Sequence, residues 1–160
     1  MGKELTTNAQ AIQDVLHKKG LECKVIEFPS GTRTAKDAAD SIGCELAQIA
    51  KSLIFKTNQT SRPVLVLASG PNRVNEDVIA AHAGENIVKA DAEFTREITG
   101  FAIGGIPPIG HKHTIELVFI DRDLLQFDTL WTAAGNPNAV FSIASKDLLS
   151  MVKGKVIAIC

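Results

Sequence analysis

The segment from Thr99 to His113, TGFAIGGIPPIGHKH, constrains the fold most strongly because it cannot be helical. It holds a third of the chain's 12 glycines and 6 prolines, with the pair Pro107-Pro108 at its centre. Glycine permits positive φ and close approach of other atoms, whereas proline fixes φ and removes an amide donor. We therefore expect a stiff, unusually shaped loop. It is either one wall of a ligand pocket or a β-bulge or tight corner joining two strands.

Length and composition predict a single domain over residues 1–160, since domains commonly contain about 100 to 200 residues. Hydrophobic residues make up 45% of the chain and charged residues 22%, which is typical of an ordinary soluble α/β protein. The formal net charge of −1 excludes a broad basic surface of the kind that dominates nucleic-acid binding. Any contact with RNA must therefore be local.

The sequence also favours a cytoplasmic protein without membrane contact. Apolar runs such as Val64 to Ala68 are far shorter than the roughly 18 residues that a membrane span needs, and the first ten residues lack the apolar core of a signal peptide. The three cysteines, Cys23, Cys44 and Cys160, have neither metal-ligand nor redox spacing, and their odd number argues against a secreted disulfide framework.

Helical periodicity, capping residues and terminal glycines predict five helices. They run from Thr6 or Thr7 to Lys19, from the cap Thr34 to Gly43, from the cap Asn75 to Gly84, from the cap Asp91 to Ile98, and from the cap Ser145 to Gly154. Shorter helical turns are predicted at Glu45 to Ile49 and Arg122 to Phe127.

Alternating or continuous apolar runs between turn residues predict short strands. They are Leu21 to Phe28, ended by Pro29-Ser30-Gly31, then Lys51 to Lys56, Pro63 to Ser69, Asn86 to Lys89, Thr114 to Asp121, Leu130 to Ala133, Ala139 to Ala144 and Val156 to Ile159. Because helices and strands do not alternate strictly, we predict an α+β (mixed α/β) domain with a mixed sheet of about seven strands flanked by helices.

Motifs for several enzyme classes are missing from the sequence. It contains no GxGxxG, GxxxxGK[ST], GxSxG, HExxH or CxxC pattern. His111 and His113 would share one face of an extended segment and could begin a metal site, but no third ligand is placed by spacing. A solvated polar strand start explains the same pair, and we expect no metal or other cofactor.

Lys51 is another candidate for a functional side chain. It begins an apolar strand directly after a helical turn, so its ammonium could point into a pocket, although a strand-end lysine commonly extends to solvent instead. Asn138, in the corner Gly135-Asn136-Pro137-Asn138, is either a turn former or a ligand contact.

These residues together resemble the YbaK/prolyl-tRNA-synthetase-associated editing domain family. The resemblance rests on Ala50-Lys51-Ser52-Leu53-Ile54, on the loop from Thr99 to Gly110, and on Trp131 to Gly135 with Ser145 to Leu149. It implies a partly barrel-like mixed sheet and hydrolysis of the ester that joins a wrong amino acid to tRNA, most often proline tRNA. The implied partners are the acceptor end of tRNA and prolyl-tRNA synthetase.

The resemblance also implies roles for individual residues. Lys51 matches the strand lysine that deacylation needs, and Gly104 and Pro108 match the ends of the family's GxxxP loop. Gly105, Ile106, Pro107 and Gly110 lie beside them, and Asn138 is a weaker candidate for lining the amino-acid pocket. The cysteine-removing branch has an aspartate where this chain has Val140, and its tyrosine has no counterpart near Glu27-Phe28.

An aminoacyl ester is already activated, so its hydrolysis requires an oriented water or ribose hydroxyl and donors for the oxyanion. We expect the amides of Gly104, Gly105 and Ile106 to supply these donors, and Lys51 to hold the tRNA end across a gap from the loop. The alternatives are a non-catalytic module of the same fold that binds a nucleotide or tRNA end, and a metal-dependent hydrolase that uses His111 and His113.

Overall fold

The computed structural model describes residues 5–28 and 34–160, which form five α-helices and eight strands. The helices are α1 (Thr7–Lys18), α2 (Ala35–Ile42), α3 (Glu76–Ala83), α4 (Ala92–Thr99) and α5 (Ser145–Met151). The strands are β1 (Val25–Glu27), β2 (Ile49–Thr57), β3 (Pro63–Ser69), β4 (Ile87–Lys89), β5 (Leu117–Asp121), β6 (Thr129–Ala133), β7 (Ala139–Ala144) and β8 (Lys155–Ile157). Short 3-10 helices occupy Leu46–Gln48 and Arg122–Gln126.

All eight strands belong to one mixed sheet with the order β1-β7-β6-β2-β3-β5-β8, and β4 pairs separately with β2. The β2–β3 hairpin is antiparallel, whereas β2–β6, β3–β5 and β5–β8 are parallel. The predicted mixed α+β fold is confirmed, with an open sheet that begins at β1 and ends at β8.

One edge of β2 is shared between two partners. Its first residues, Ile49 and Ala50, pair with β6, and its last residues, Phe55 to Thr57, pair with β4. Within the described part of the chain, residues 51–54 of that edge lie opposite no strand, although the Ala90 N–H donates to the Ile54 carbonyl at 3.2 Å. The sheet therefore forks at this point.

Apolar side chains cover both faces of the sheet. Ala50 and Ile54 of β2 pack into the larger core cluster together with α1 and the glycine-proline loop. Leu53 and Phe55 project to the other face, where Ile79 of α3 completes a second cluster. This alternation follows from the two-residue period of a strand, and it places both faces of β2 under helical cover.

Two predicted strands lose three or more residues in the structure, and two others, predicted from Asn86 and to Ile159, begin at Ile87 and end at Ile157. Residues 21–24 do not join β1 because the buried side chain of Gln13 takes their hydrogen bonds: its Nε2 donates to the Cys23 carbonyl at 2.8 Å and its Oε1 accepts from the Val25 N–H at 2.8 Å. The start of the predicted strand from Thr114 is loop, and β5 begins at Leu117, opposite Val64 of β3. The predicted end of the first strand at Pro29-Ser30-Gly31 lies outside the described residues.

The predicted caps are confirmed for three helices and wrong for two. Thr34, Asn75 and Asp91 each accept a hydrogen bond from the first turn of the helix that follows. Thr6 stands at the start of α1, but its hydroxyl donates to Glu27 Oε2 at 2.7 Å instead of capping the helix. Ser145 is the first residue of α5, and its N–H donates to the Asp128 carbonyl. No described helix is both long enough and apolar enough to span a bilayer.

The glycine-proline loop connects α4 to β5, so the alternative of a corner between two strands is wrong. The corner between β6 and β7 holds it in place: the Gly135 N–H donates to the Gly105 carbonyl at 3.0 Å. Glu27 holds the same corner, since its Oε2 accepts from Asn136 Nδ2 at 2.8 Å. A Cβ added to Gly105 would lie 2.5 Å from the Asn136 Cα, so the contact requires glycine.

We predict that Gly105→Ala lowers the free energy of unfolding by about 3 kcal/mol, because backbone atoms at Asn136 would have to move. For a chain of this length the thermal midpoint should fall by roughly 6 to 12 °C. Gly84→Ala is the control: Gly84 has φ +85° and no neighbour within 4 Å of an added Cβ, so only the left-handed backbone costs about 1 kcal/mol. Equal midpoints for the two variants, measured by circular dichroism, would contradict the tight contact.

Candidate active site

A cavity of about 640 Å³ opens at the fork in the sheet. Its walls come from both partners of β2, from the start of α2, from residues 72–76 and from the tip of the glycine-proline loop. The lining is mainly apolar, with small side chains such as Ala35, Ala38 and Ala139. The fork therefore gives a ligand access to the edge of β2 that carries Lys51.

Lys51 lies on the face of β2 that also carries Trp131 and Val140 of the neighbouring strands, as the register of β2, β6 and β7 requires. Its Nζ donates to the Asn72 carbonyl at 2.9 Å. An ammonium has three donors, and the described residues accept only this one, so the others are available to a ligand. The position in the cavity wall agrees with the pocket alternative for Lys51.

The environment of Lys51 changes its acidity. Burial, the strongest influence, lowers the pKa of Lys51; the negative charge of Asp121 raises it, the positive charge of Arg73 lowers it, and the net shift is downward. Arg73 and Lys89 line the same cavity, where Glu76 is the acidic residue among the described lining. The cavity is thus locally cationic in a chain whose net charge is −1.

The loop reaches the cavity through Ile103, Gly104 and Ile106. Gly104 has φ +97°, and among the described residues the nearest atom to an added Cβ would be Pro137 Cγ at 3.9 Å, so these residues leave the space beside it open. Among the described residues, no backbone carbonyl accepts the N–H of Gly104 or Ile106. These two amides are therefore available as donors for a ligand.

Lys51 and the loop approach the cavity from different sides. Ile106 packs into the core cluster on one face of the sheet, whereas Lys51 projects from the other. The fork and the β6–β7 corner, represented by Pro137, join the two sides into one space. The structure thus brings Lys51, Gly104 and Ile106 to one cavity.

The other predicted residues of the loop do not line the large cavity. The N–H of Gly105 donates to the Ala102 carbonyl at 3.1 Å, so this amide is used within the loop. Pro108 and Gly110 line a separate hollow of about 320 Å³. Pro107 is buried, and its carbonyl accepts a hydrogen bond of 2.7 Å from His111 Nε2.

His111 supports the loop through that bond. Burial lowers the pKa of His111 more than the Pro107 carbonyl raises it, which favours the neutral ring. Within residues 5–28 and 34–160, no group of three or more His, Cys, Asp or Glu side chains could hold a metal ion. His113 lines the smaller hollow together with His111.

Asn138 lies in the β6–β7 corner, as predicted. Its N–H donates to Asn136 Oδ1 at 2.8 Å and its carbonyl accepts from the Phe28 N–H at 2.8 Å. Its neighbours Pro137 and Ala139 line the cavity. The backbone of Asn138 therefore shapes the corner that borders the cavity.

Sequence reasoning missed three polar contributors to the site: Asn72, Arg73 and Asp121. Asn72 and Arg73 follow the turn after β3, the strand that lies opposite Lys51. The sequence did contain a signal for Asp121, an acidic residue that ends the apolar run Leu117–Asp121. In the structure this side chain is only 1% exposed. Which residue compensates that carboxylate is a long-range property that spacing does not give.

Comparison with known proteins shows which family this chain resembles. Residues 29–151 match the sequence model of the aminoacyl-tRNA editing domain. The chain is 31% identical over 135 residues to the uncharacterised protein YwhH of Bacillus subtilis, covering 84% of this chain and 85% of that protein. It is 27% identical over 126 residues to EbsC of Enterococcus faecalis, named as a candidate Cys-tRNA(Pro)/Cys-tRNA(Cys) deacylase, covering 76% of this chain and 74% of EbsC.

A solved structure shares the whole architecture. It is described as a candidate trans-editing enzyme for prolyl-tRNA synthetase, and it superposes with a TM-score of 0.91 at 38% identity, covering 97% of this chain and 98% of that one. The family match spans the fork, Lys51 and the glycine-proline loop. The chain therefore belongs to the aminoacyl-tRNA editing domain family.

Proposed function

We propose that this protein is a cytoplasmic trans-editing deacylase that hydrolyses the ester between tRNA(Pro) and a small wrong amino acid such as alanine or cysteine. The observation behind the proposal is the shared cavity at the fork: it is lined by half-buried Lys51 and by Gly104 and Ile106, whose N–H groups have no acceptor among the described residues. The relatives named as deacylase and trans-editing enzyme support the same reaction.

The cavity suits the 3′ end of a tRNA. Lys51, Arg73 and Lys89 supply positive charge for phosphate, and the partly exposed ring of Trp131 offers a surface on which the terminal adenine can stack. Because the 17 Lys and Arg residues are offset by 18 Asp and Glu residues, the chain offers no net positive charge for the rest of the tRNA, and recognition is confined to the acceptor end. We propose prolyl-tRNA synthetase as the partner that presents the rest of the tRNA.

The proposed reaction needs no protein nucleophile. A water oxygen adds to the ester carbonyl carbon, and the negative charge that develops on the carbonyl oxygen is accepted by the N–H groups of Gly104 and Ile106. The carbon–oxygen bond to ribose then breaks, the ribose hydroxyl leaves with the proton that water gave up, and the free amino acid departs. Lys51 holds the ribose or terminal phosphate during these steps.

The acyl group would occupy the apolar part of the cavity. Val140 contributes only methyl groups there, so alanine is the first acyl group to test. Within the described residues, the buried hydroxyls without partners are Ser52 Oγ and Thr95 Oγ1, and both residues line this cavity. An unpaired buried hydroxyl costs about 1 to 3 kcal/mol, which a bound polar group can recover.

We predict that Lys51→Met reduces release of amino acid from alanyl-tRNA(Pro) by about 100-fold, because without the ammonium that holds the ribose or terminal phosphate the ester is misplaced relative to the loop amides. Lys56→Met is the matched control, since Lys56 lies on the same strand but packs over the Phe94 ring, 5.2 Å from its centroid. Release is followed with labelled alanyl-, cysteinyl- and seryl-tRNA(Pro), with and without a chelator.

The assay separates the proposal from its alternatives. Full activity of Lys51→Met would remove Lys51 from the reaction. Binding of aminoacyl-tRNA without release by the wild-type protein would indicate a non-catalytic module, and release abolished by the chelator would indicate a metal-dependent hydrolase.

A second prediction concerns the loop. Gly104→Val should lower the deacylation rate by about 100-fold, because a side chain there enters the open space beside Pro137 and displaces the ester. Gly84→Val carries the same left-handed strain away from the cavity and should lower stability similarly while leaving the rate unchanged. Equal rates for the two variants would show that the loop does not contact the substrate.

A further inference from the structure

The turn that holds Lys51 is fixed by a buried carboxylate. Lys51 Nζ donates to the carbonyl of Asn72, and the Asn72 N–H donates to the Ser69 carbonyl at 2.9 Å, which closes the turn of residues 69–72. Asp121 Oδ2 accepts from the Ser69 N–H at 3.0 Å and from Asn72 Nδ2 at 2.8 Å. Both ends of the turn are therefore bound to one side chain.

Asp121 itself is rigidly held. It is 1% exposed, its Oδ1 accepts from the Asp123 N–H at 2.9 Å, and Asp123 Oδ2 accepts from Asn72 Nδ2 at 2.7 Å. A buried carboxylate with this many donors keeps one position, and it fixes the groups that donate to it.

The strand register brings Asp121 close to Lys51 in a second way. Lys51 pairs with Ala68 of β3, and the β3–β5 register, Leu67 with Ile120, continues to Ala68 with Asp121. The lysine and the carboxylate therefore lie in one row and on one face of three adjacent strands. In a partly dry site, an opposite charge on the same face of the sheet stabilises the charged form of an ammonium.

We propose that Asp121 is a positioning residue for Lys51: through Asn72 it places the carbonyl that holds the ammonium, and it presents a carboxylate on the same face of the sheet. This inference rests on the proposed function only for its effect on deacylation. Asp121 touches no substrate in this account, and it acts entirely through Lys51.

Other charged groups near Lys51 also contribute to the electrostatic potential at its ammonium. Those that line the cavity or contact the turn are Arg73, Glu76, Lys89, Asp121 and Asp123. Asp121 and Arg73 act on Lys51 with opposite signs. The wall that α2 contributes, Thr34, Ala35 and Ala38, carries no titratable side chain.

The titration of Lys51 tests the inference without tRNA. The Cε resonance of Lys51, assigned by its loss in Lys51→Met, is followed against pH in protein labelled with 13C-lysine. Asp121→Asn should move the midpoint down by about one pH unit, because the attraction that favours the charged form is lost. Arg73→Gln should move it up, because the positive charge of Arg73 disfavours the ammonium. An unchanged midpoint in folded Asp121→Asn overturns the inference.

The deacylation rate tests whether the Asn72 carbonyl is correctly placed to hold Lys51. Asn72→Ala keeps Asp121 and its bond to the Ser69 N–H but removes the side chain that links Asp121 to the residue whose carbonyl holds Lys51, so kcat should fall at least tenfold. This variant also decides the matter if Asp121→Asn does not fold, and wild-type kcat in Asn72→Ala would overturn the inference. Absence of deacylation by the wild-type protein would instead contradict the proposed function, and the titration would still be decisive for Asp121.

Discussion

Strand β2 changes its neighbour half-way along one edge, from β6 at Ala50 to β4 at Phe55, and the candidate site depends on this change. A strand edge that is neither paired nor covered is an attachment point for another molecule. Among residues 5–28 and 34–160, no strand pairs along this edge with the stretch that contains Lys51, and this stretch opens into a cavity instead of lying on the outer surface. The fork therefore places this strand edge inside a recess, where Lys51 is a charged group in the wall.

The candidate site also requires a half-buried charge that remains accessible on one side. Lys51 loses part of its hydration in the wall, and Asp121 and the Asn72 carbonyl replace it only in part. An ammonium with unused donors in a partly dry recess attracts anionic or carbonyl oxygen more strongly than the same group in water. A tRNA end offers both kinds of oxygen, which is why the geometry and the family assignment point to the same chemistry.

The parts of this architecture that depend on local sequence could be predicted. The capping residue Asn75 and the terminal Gly84 define α3, and the apolar run from Pro63 to Ser69 defines β3. Predictions were wrong where a distant side chain competed with the backbone, as Gln13 does before β1 and Glu27 does at Thr6. Such competition depends on tertiary packing and leaves no periodic signal.

The site could be predicted in the same uneven way. The position of Lys51 at a strand start left two alternatives open, and the resemblance to the editing domain family assigned roles to Lys51 and Gly104. Both residues line the cavity. Pro108 and Gly110 belong to the same sequence motif as Gly104 but lie at a different hollow, because the loop turns away after Ile106. Asp121 required the order of β2, β3 and β5, which no pattern within one strand contains.

The most direct measurement of the central claim is the crystal structure of the protein with an amide analogue of alanyl-adenosine, which cannot be hydrolysed as an ester. We expect the analogue to occupy the fork, with its carbonyl oxygen within about 3.2 Å of the N–H of Gly104 or Ile106 and its ribose next to Lys51 Nζ. An analogue bound at the hollow beside His111, or on the surface away from β2, would contradict the account.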